Sequence, residues 1–117
     1  MRRALTPVII IVLLAVTGCR RSRNLILIEN NSDMICTSVT IAVCDSSWTI
    51  QNMAPGEQRE FSVIYTKDDA FHVSMEPADG RSLEGSFGYV THGITGDRIR
   101  ISIEDDSIFF MQNGNSY

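Results

Sequence analysis

From residue 24 onward the chain repeats one pattern: apolar side chains at every second position, in short runs broken by turn-forming clusters. Strands present alternate residues to opposite faces, so this period of two predicts half-buried β-strands, and no stretch of useful length has helical spacing. Leu25 to Ile28 is a short apolar run suited to a buried first strand, followed by the turn cluster Asn30-Asn31-Ser32-Asp33. Val39, Ile41 and Val43 alternate with Ser38, Thr40 and Ala42, and Trp48 and Ile50 make a shorter strand. Phe61, Val63 and Tyr65 point one way, as do Phe71, Val73 and Met75. Leu83, Gly85, Phe87 and Tyr89 are expected to share a face; Ile99, Ile101 and Ile103 alternate with Arg98, Arg100 and Ser102, and Ile108 to Met111 forms the last strand. Between these runs, Ala54-Pro55-Gly56-Glu57 suits a type II turn and Asp79-Gly80 a hairpin.

Seven or eight short strands at intervals of roughly ten residues predict an all-β domain, a small antiparallel β-sandwich, with a small closed barrel as the alternative. The layout is similar to immunoglobulin-like modules, although their pattern of an early and a late cysteine around a tryptophan is missing. The sandwich is placed at residues 25–112 and a loose tail at 113–117.

The start of the chain reads differently. Arg2 and Arg3 precede an uncharged, largely apolar run from Ala4 to Val16, the organisation of a signal peptide. The run is shorter than the roughly 20 residues that span a bilayer. Val16-Thr17-Gly18-Cys19 resembles the lipobox of bacterial lipoprotein precursors: an aliphatic residue, two small ones that admit the peptidase, and a thiol nucleophile. That resemblance covers residues 1–19 and implies cleavage after Gly18, lipid (palmitate among its acyl chains) on Cys19, and a membrane as partner. Arg20 is not the aspartate that the family uses for retention at the inner membrane, so the expected location is the outer membrane, facing the periplasm. Residues 19–24 would then be a lipidated tether.

The formal charge is −4 for 117 residues, with 10 basic and 14 acidic side chains. Arg2, Arg3, Arg20, Arg21 and Arg23 all precede Asn24, so the domain beyond them carries 5 basic against 14 acidic residues. Such a surface repels phosphate backbones and excludes a nucleic-acid partner. It also makes the mature protein a basic stalk bearing an acidic head.

Chemistry-bearing residues are few. If Cys19 is acylated, Cys36 and Cys44 are the remaining pair. In one continuous strand they would lie about 26 Å apart, too far for a disulfide; a bend between them would permit one, and both arrangements are open. His72, Met75, Met53 and His92 are copper-ligand types, but positions 72 and 75 fall on opposite faces of a strand. Gly85-Ser86-Phe87-Gly88 lacks the nucleophile-elbow spacing, and neither Asp68-Asp69 nor Glu104-Asp105-Asp106 follows a calcium-loop pattern. No catalytic residue, metal ligand or cofactor is therefore assigned. The loop from Tyr89 to Asp97, glycine-rich and carrying Tyr89, Thr91 and His92, is the expected interaction loop. The resulting expectation is a lipid-anchored, non-catalytic interaction or structural module with an envelope protein as partner; the alternative is a periplasmic metal-binding or small-ligand-binding lipoprotein.

Overall fold

A computed structural model of the protein describes residues 23–116. The leader, the lipobox with Cys19 and most of the tether lie outside the described residues. The domain is all-β: β1 (Asn24–Asn30), β2 (Cys36–Val43), β3 (Ser46–Met53), β4 (Gln58–Val63), β5 (Asp69–Pro77), β6 (Leu83–Val90), β7 (Arg98–Ile103), β8 (Ile108–Gln112) and the two-residue β9 (Asn115–Ser116). Two open sheets, ordered β4-β1-β7-β8-β9 and β3-β2-β5-β6, pack as a sandwich, so the sheet does not close into a barrel.

The alternation read from the sequence builds the core. Ile26, Ile28, Ile99, Ile101, Ile103 and Phe110 from the first sheet meet Val39, Ile41, Val43, Ile50, Phe71, Val73 and Met75 from the second, all buried. Removing such side chains from water is the main stabilising term, about 1.5–3 kcal/mol for each large one. Aromatic contacts cross between the layers: Phe110 stacks on Phe87 at 5.5 Å and tilts against Phe71 at 5.4 Å, and Trp48 stacks on Phe61 at 5.3 Å. The expected type II turn is present, with Glu57 N–H donating to Ala54 O at 3.0 Å and Gly56 at φ 82°.

Several expectations change. Strand β1 pairs in parallel with β7, Ile26 opposite Ile99 and Ile28 opposite Ile101, within an otherwise antiparallel sandwich. It therefore occupies an interior position in its sheet, and only Ile26 and Ile28 enter the core, while Leu25 and Leu27 lie half-buried on the outer face. The supposed loose tail folds back: Asn113 and Gly114, both at positive φ, make the two-residue turn that pairs β9 with β8. Asn24, placed in the tether, begins β1 and is 1 % exposed.

A bulge corrects the reading of β6. Phe71 pairs with Phe87 and Asp69 with Val90, so two residues of β6, Gly88 and Tyr89, stand opposite Ala70 alone. Gly88 takes φ 69°, a conformation that favours glycine. The extra residue reverses the alternation: Phe87 faces inward, Tyr89 turns out to solvent, and Val90 is buried in its stead.

Candidate functional site

Strand directions assign every loop to one of two poles. Asn24 and Arg98 begin their strands at the same end as Val63 and Gln112 finish theirs. The chain enters the domain at this pole, which also carries the loops 44–45, 64–68, 91–97 and 113–114. The loops 31–35, 54–57, 78–82 and 104–107 form the far pole.

Buried polar groups knit the entry pole together. Asn24 Nδ2 donates to Val63 O at 3.2 Å and to Ile94 O at 3.0 Å, while its Oδ1 accepts from Asp97 N–H at 3.0 Å. Asp97, itself buried, accepts from Tyr65 Oη (3.0 Å), Gln112 Nε2 (3.1 Å) and Asn113 Nδ2 (2.9 Å). Burial first, and the negative charge of Asp97 second, push the Tyr65 phenol well above its ordinary range. Gly93 N–H donates to Tyr65 O at 3.1 Å, joining the two long loops directly. Every buried polar group in this joint has a partner, as a site held in one geometry requires.

The surface of the joint is apolar in part. Ile64 is 64 % exposed, Tyr89 61 % and Ile94 48 %. The Tyr89 hydroxyl donates to Asp68 Oδ2 at 3.3 Å and the His92 backbone N–H to Asp68 Oδ1 at 2.9 Å, so two of the three residues singled out in the sequence meet at one carboxylate. Thr91 O accepts from Ile94 N–H at 3.1 Å and closes a turn. The loop is thus a braced structure, and its exposed side chains are presented from a fixed backbone.

Ile64 and Ile94 were not anticipated as surface features. A signal existed for Ile64: it occupies the polar phase of the Phe61, Val63, Tyr65 alternation, where an apolar residue has no core to enter.

The two cysteines are free. Cys36 opens β2 and Cys44 follows its last residue, so the length of one strand, bulged at Thr37 against β5, separates them and removes the internal disulfide. Cys44 sits in the tight β2–β3 turn at φ 55°, its Sγ 3.3 Å from Lys67 O, and Cys36 is buried, which raises its thiol pKa. His72 lies outside, with Nδ1 2.9 Å from Ser86 Oγ and Nε2 3.3 Å from Asp69 Oδ1, whereas Met75 and Met53 are in the core. Hydrogen bonds from the N–H groups of Ala70 foremost, then Cys44, and from His72, hold the Asp69 carboxyl below the usual range. His92 projects from the entry pole, exposed. Among the described residues, no three histidine, cysteine, aspartate or glutamate side chains are grouped to hold a metal ion.

On the outer face of the five-stranded sheet, Leu25, Leu27 and Met111 floor a hollow of about 380 Å³, rimmed by Arg98, Arg100 and Glu60. Beside it the buried Glu29 carboxylate meets Arg100 Nη2 at 2.6 Å.

No family model matches the chain, and no curated protein matches it. Among solved structures it is similar to the NMR structure of a protein from Eubacterium rectale, at 18 % identity, with 82 % of this chain and 85 % of that one covered and a TM-score of 0.57. At that identity the likeness concerns the fold alone.

Proposed function

We propose that the protein is a bacterial envelope lipoprotein, held by acyl chains on Cys19, whose sandwich is a non-catalytic interaction module. The observation that carries this reading is the lipobox at residues 16–19, five positions ahead of the strand with which the fold begins. A cysteine so placed joins lipid to a folded head through a short basic linker, and two or three acyl chains hold a protein stably where one is marginal. Arg20 favours the outer membrane over the inner one.

The module would meet a protein partner through the outer face of the five-stranded sheet. Its apolar floor of Leu25, Leu27 and Met111 inside a rim of Arg98, Arg100 and Glu60 has the anatomy of a protein interface, with a dry centre and a charged border.

Labelling cells with a palmitate analogue tests the anchor: the wild type should carry the label and fractionate with membranes, and Cys19→Ala should lose both. A Cys19→Ala protein that stays labelled and membrane-bound overturns it. Crosslinking in intact cells tests the module. One envelope protein should be captured reproducibly and lost with Leu27→Asp; capture of none, or a product indifferent to Leu27→Asp, removes the interaction reading.

A further inference from the structure

We infer that the entry pole is itself a membrane-contact surface, seated on the leaflet that bears the anchor, with Ile64 and Ile94 as its apolar contacts and Tyr89 at the headgroup level. The inference rests on the lipid anchor proposed above and adds an orientation to it.

Chain length comes first. Five peptide steps separate Cys19 from Asn24, a reach of at most about 18 Å. Strand β1 alone takes six residue steps from Asn24 to Asn30, about 20 Å from the entry pole toward the far pole, whose loops reach further. A head lying with its far pole on the lipid would hold Asn24 beyond the reach of its own tether. The entry pole therefore stays next to the bilayer whatever the head does.

That same pole presents three of the five large apolar side chains that are exposed among the described residues: Ile64, Tyr89 and Ile94. They are not scattered. Asn24, the first residue after the tether, binds the carbonyl of Ile94 and that of Val63, the neighbour of Ile64, so the two isoleucines flank the point where the chain comes up from the membrane. Apolar side chains held by a rigid joint lose little freedom on entering the interface. A tyrosine with a wet hydroxyl and an apolar ring suits the headgroup layer.

Charge orients the head the same way. At the entry pole Arg23 and Arg98 are exposed, with Arg98 Nη1 3.3 Å from Arg23 O, and Arg20 and Arg21 precede them in sequence. Lys67 pairs with Asp45 there at 3.2 Å, while Asp68, Asp69 and Asp97 keep their charge, so Arg20, Arg21, Arg23, Lys67 and Arg98 slightly outweigh four carboxylates at this pole. The far-pole loops carry Asp33, Glu57, Asp79, Glu104, Asp105 and Asp106 against Arg81. Anionic headgroups repel the strongly acidic far pole and favour the entry pole over it.

The test places the photoreactive residue p-benzoylphenylalanine at position 64, 94 or 35 of the full-length chain in cells. Ile35 is the control, 47 % exposed but at the far pole. Illumination followed by mass spectrometry should find phospholipid adducts at 64 and 94 severalfold above those at 35. Acylated protein with equal yields at the three positions, or with none at 64 and 94, overturns the orientation and leaves the anchor standing. Absence of acyl mass on Cys19 removes both.

Discussion

Tyr65 Oη and Asp97 Oδ2 lie 3.0 Å apart in a buried joint, so the loop after β4 is fastened to the residue just before β7. Replacing Tyr65 with Phe deletes this bond and leaves Asp97 with two side-chain donors, Gln112 and Asn113. The expected loss is about 1–3 kcal/mol in urea unfolding. Tyr65 has its pKa raised in the folded state, so its contribution is whole below the ordinary tyrosine value near 10 and is lost as the pH rises beyond it. Above pH 10 the wild type should lose stability more steeply than Tyr65→Phe, by about 1.4 kcal/mol per pH unit. Parallel slopes would show that the phenol is not buried as described.

Asn24 closes the same joint with two donated bonds and one accepted. Asn24→Ala should cost about 2–4 kcal/mol, because the carbonyls of Val63 and Ile94 lose a buried donor. Asn24→Asp should cost more, since it turns a carboxylate oxygen toward those two carbonyls. Thermal unfolding of the two variants gives the order; an aspartate variant as stable as the wild type would contradict the geometry.

Gly88 and Gly93 separate backbone freedom from space. Both have positive φ, but a Cβ on Gly88 would come within 2.7 Å of Gln112 Oε1 and 2.8 Å of Phe110 Cε1, whereas one on Gly93 meets nothing within 4 Å. Gly93→Ala should cost about 1–2 kcal/mol, the strain of a left-handed residue. Gly88→Ala adds the overlap, about 1–3 kcal/mol more. Equal melting temperatures for the two variants would mean that the bulge is not packed on Phe110.

The thiols give a chemical test of β2. Mature protein should titrate two free thiols when denatured, Cys36 and Cys44, and no internal disulfide. Under native conditions Cys44, half-buried in a turn, should be alkylated first, and Cys36, buried and with its pKa raised, should lag well behind. Peptide mapping after brief iodoacetamide treatment reads the order, and a Cys36–Cys44 crosslinked peptide would contradict the placement of the two thiols at opposite ends of β2.

Much of the candidate site was present in the sequence as residue types but not as an arrangement. Tyr89, Thr91 and His92 stood out as a loop able to pack and to hydrogen-bond, and Tyr89 and His92 do converge on Asp68. Asp68 itself is more than 20 residues away in sequence, and no periodicity relates it to them. Asn24 and Asn30, at the two ends of β1, resemble tether and turn residues; both are buried, and Asn30 Nδ2 holds Met34 O and Met53 O at 3.0 and 2.9 Å. A buried asparagine is recognisable only once the carbonyls it satisfies have been brought together.

What the sequence determines by itself is therefore what depends on neighbours along the chain. Alternation is a property of one strand, so the all-β class, the inward set Val39, Ile41 and Val43, and the Pro55-Gly56 turn were legible, and the lipobox-like run Val16 to Cys19 is likewise a linear pattern. Register and pairing are relations between strands far apart in the chain, set by packing two sheets over a common core. Tertiary structure alone decided that β1 runs parallel to β7, that a bulge at Gly88 turns Tyr89 outward, and that Ile64 and Ile94 flank the residue at which the chain enters the fold.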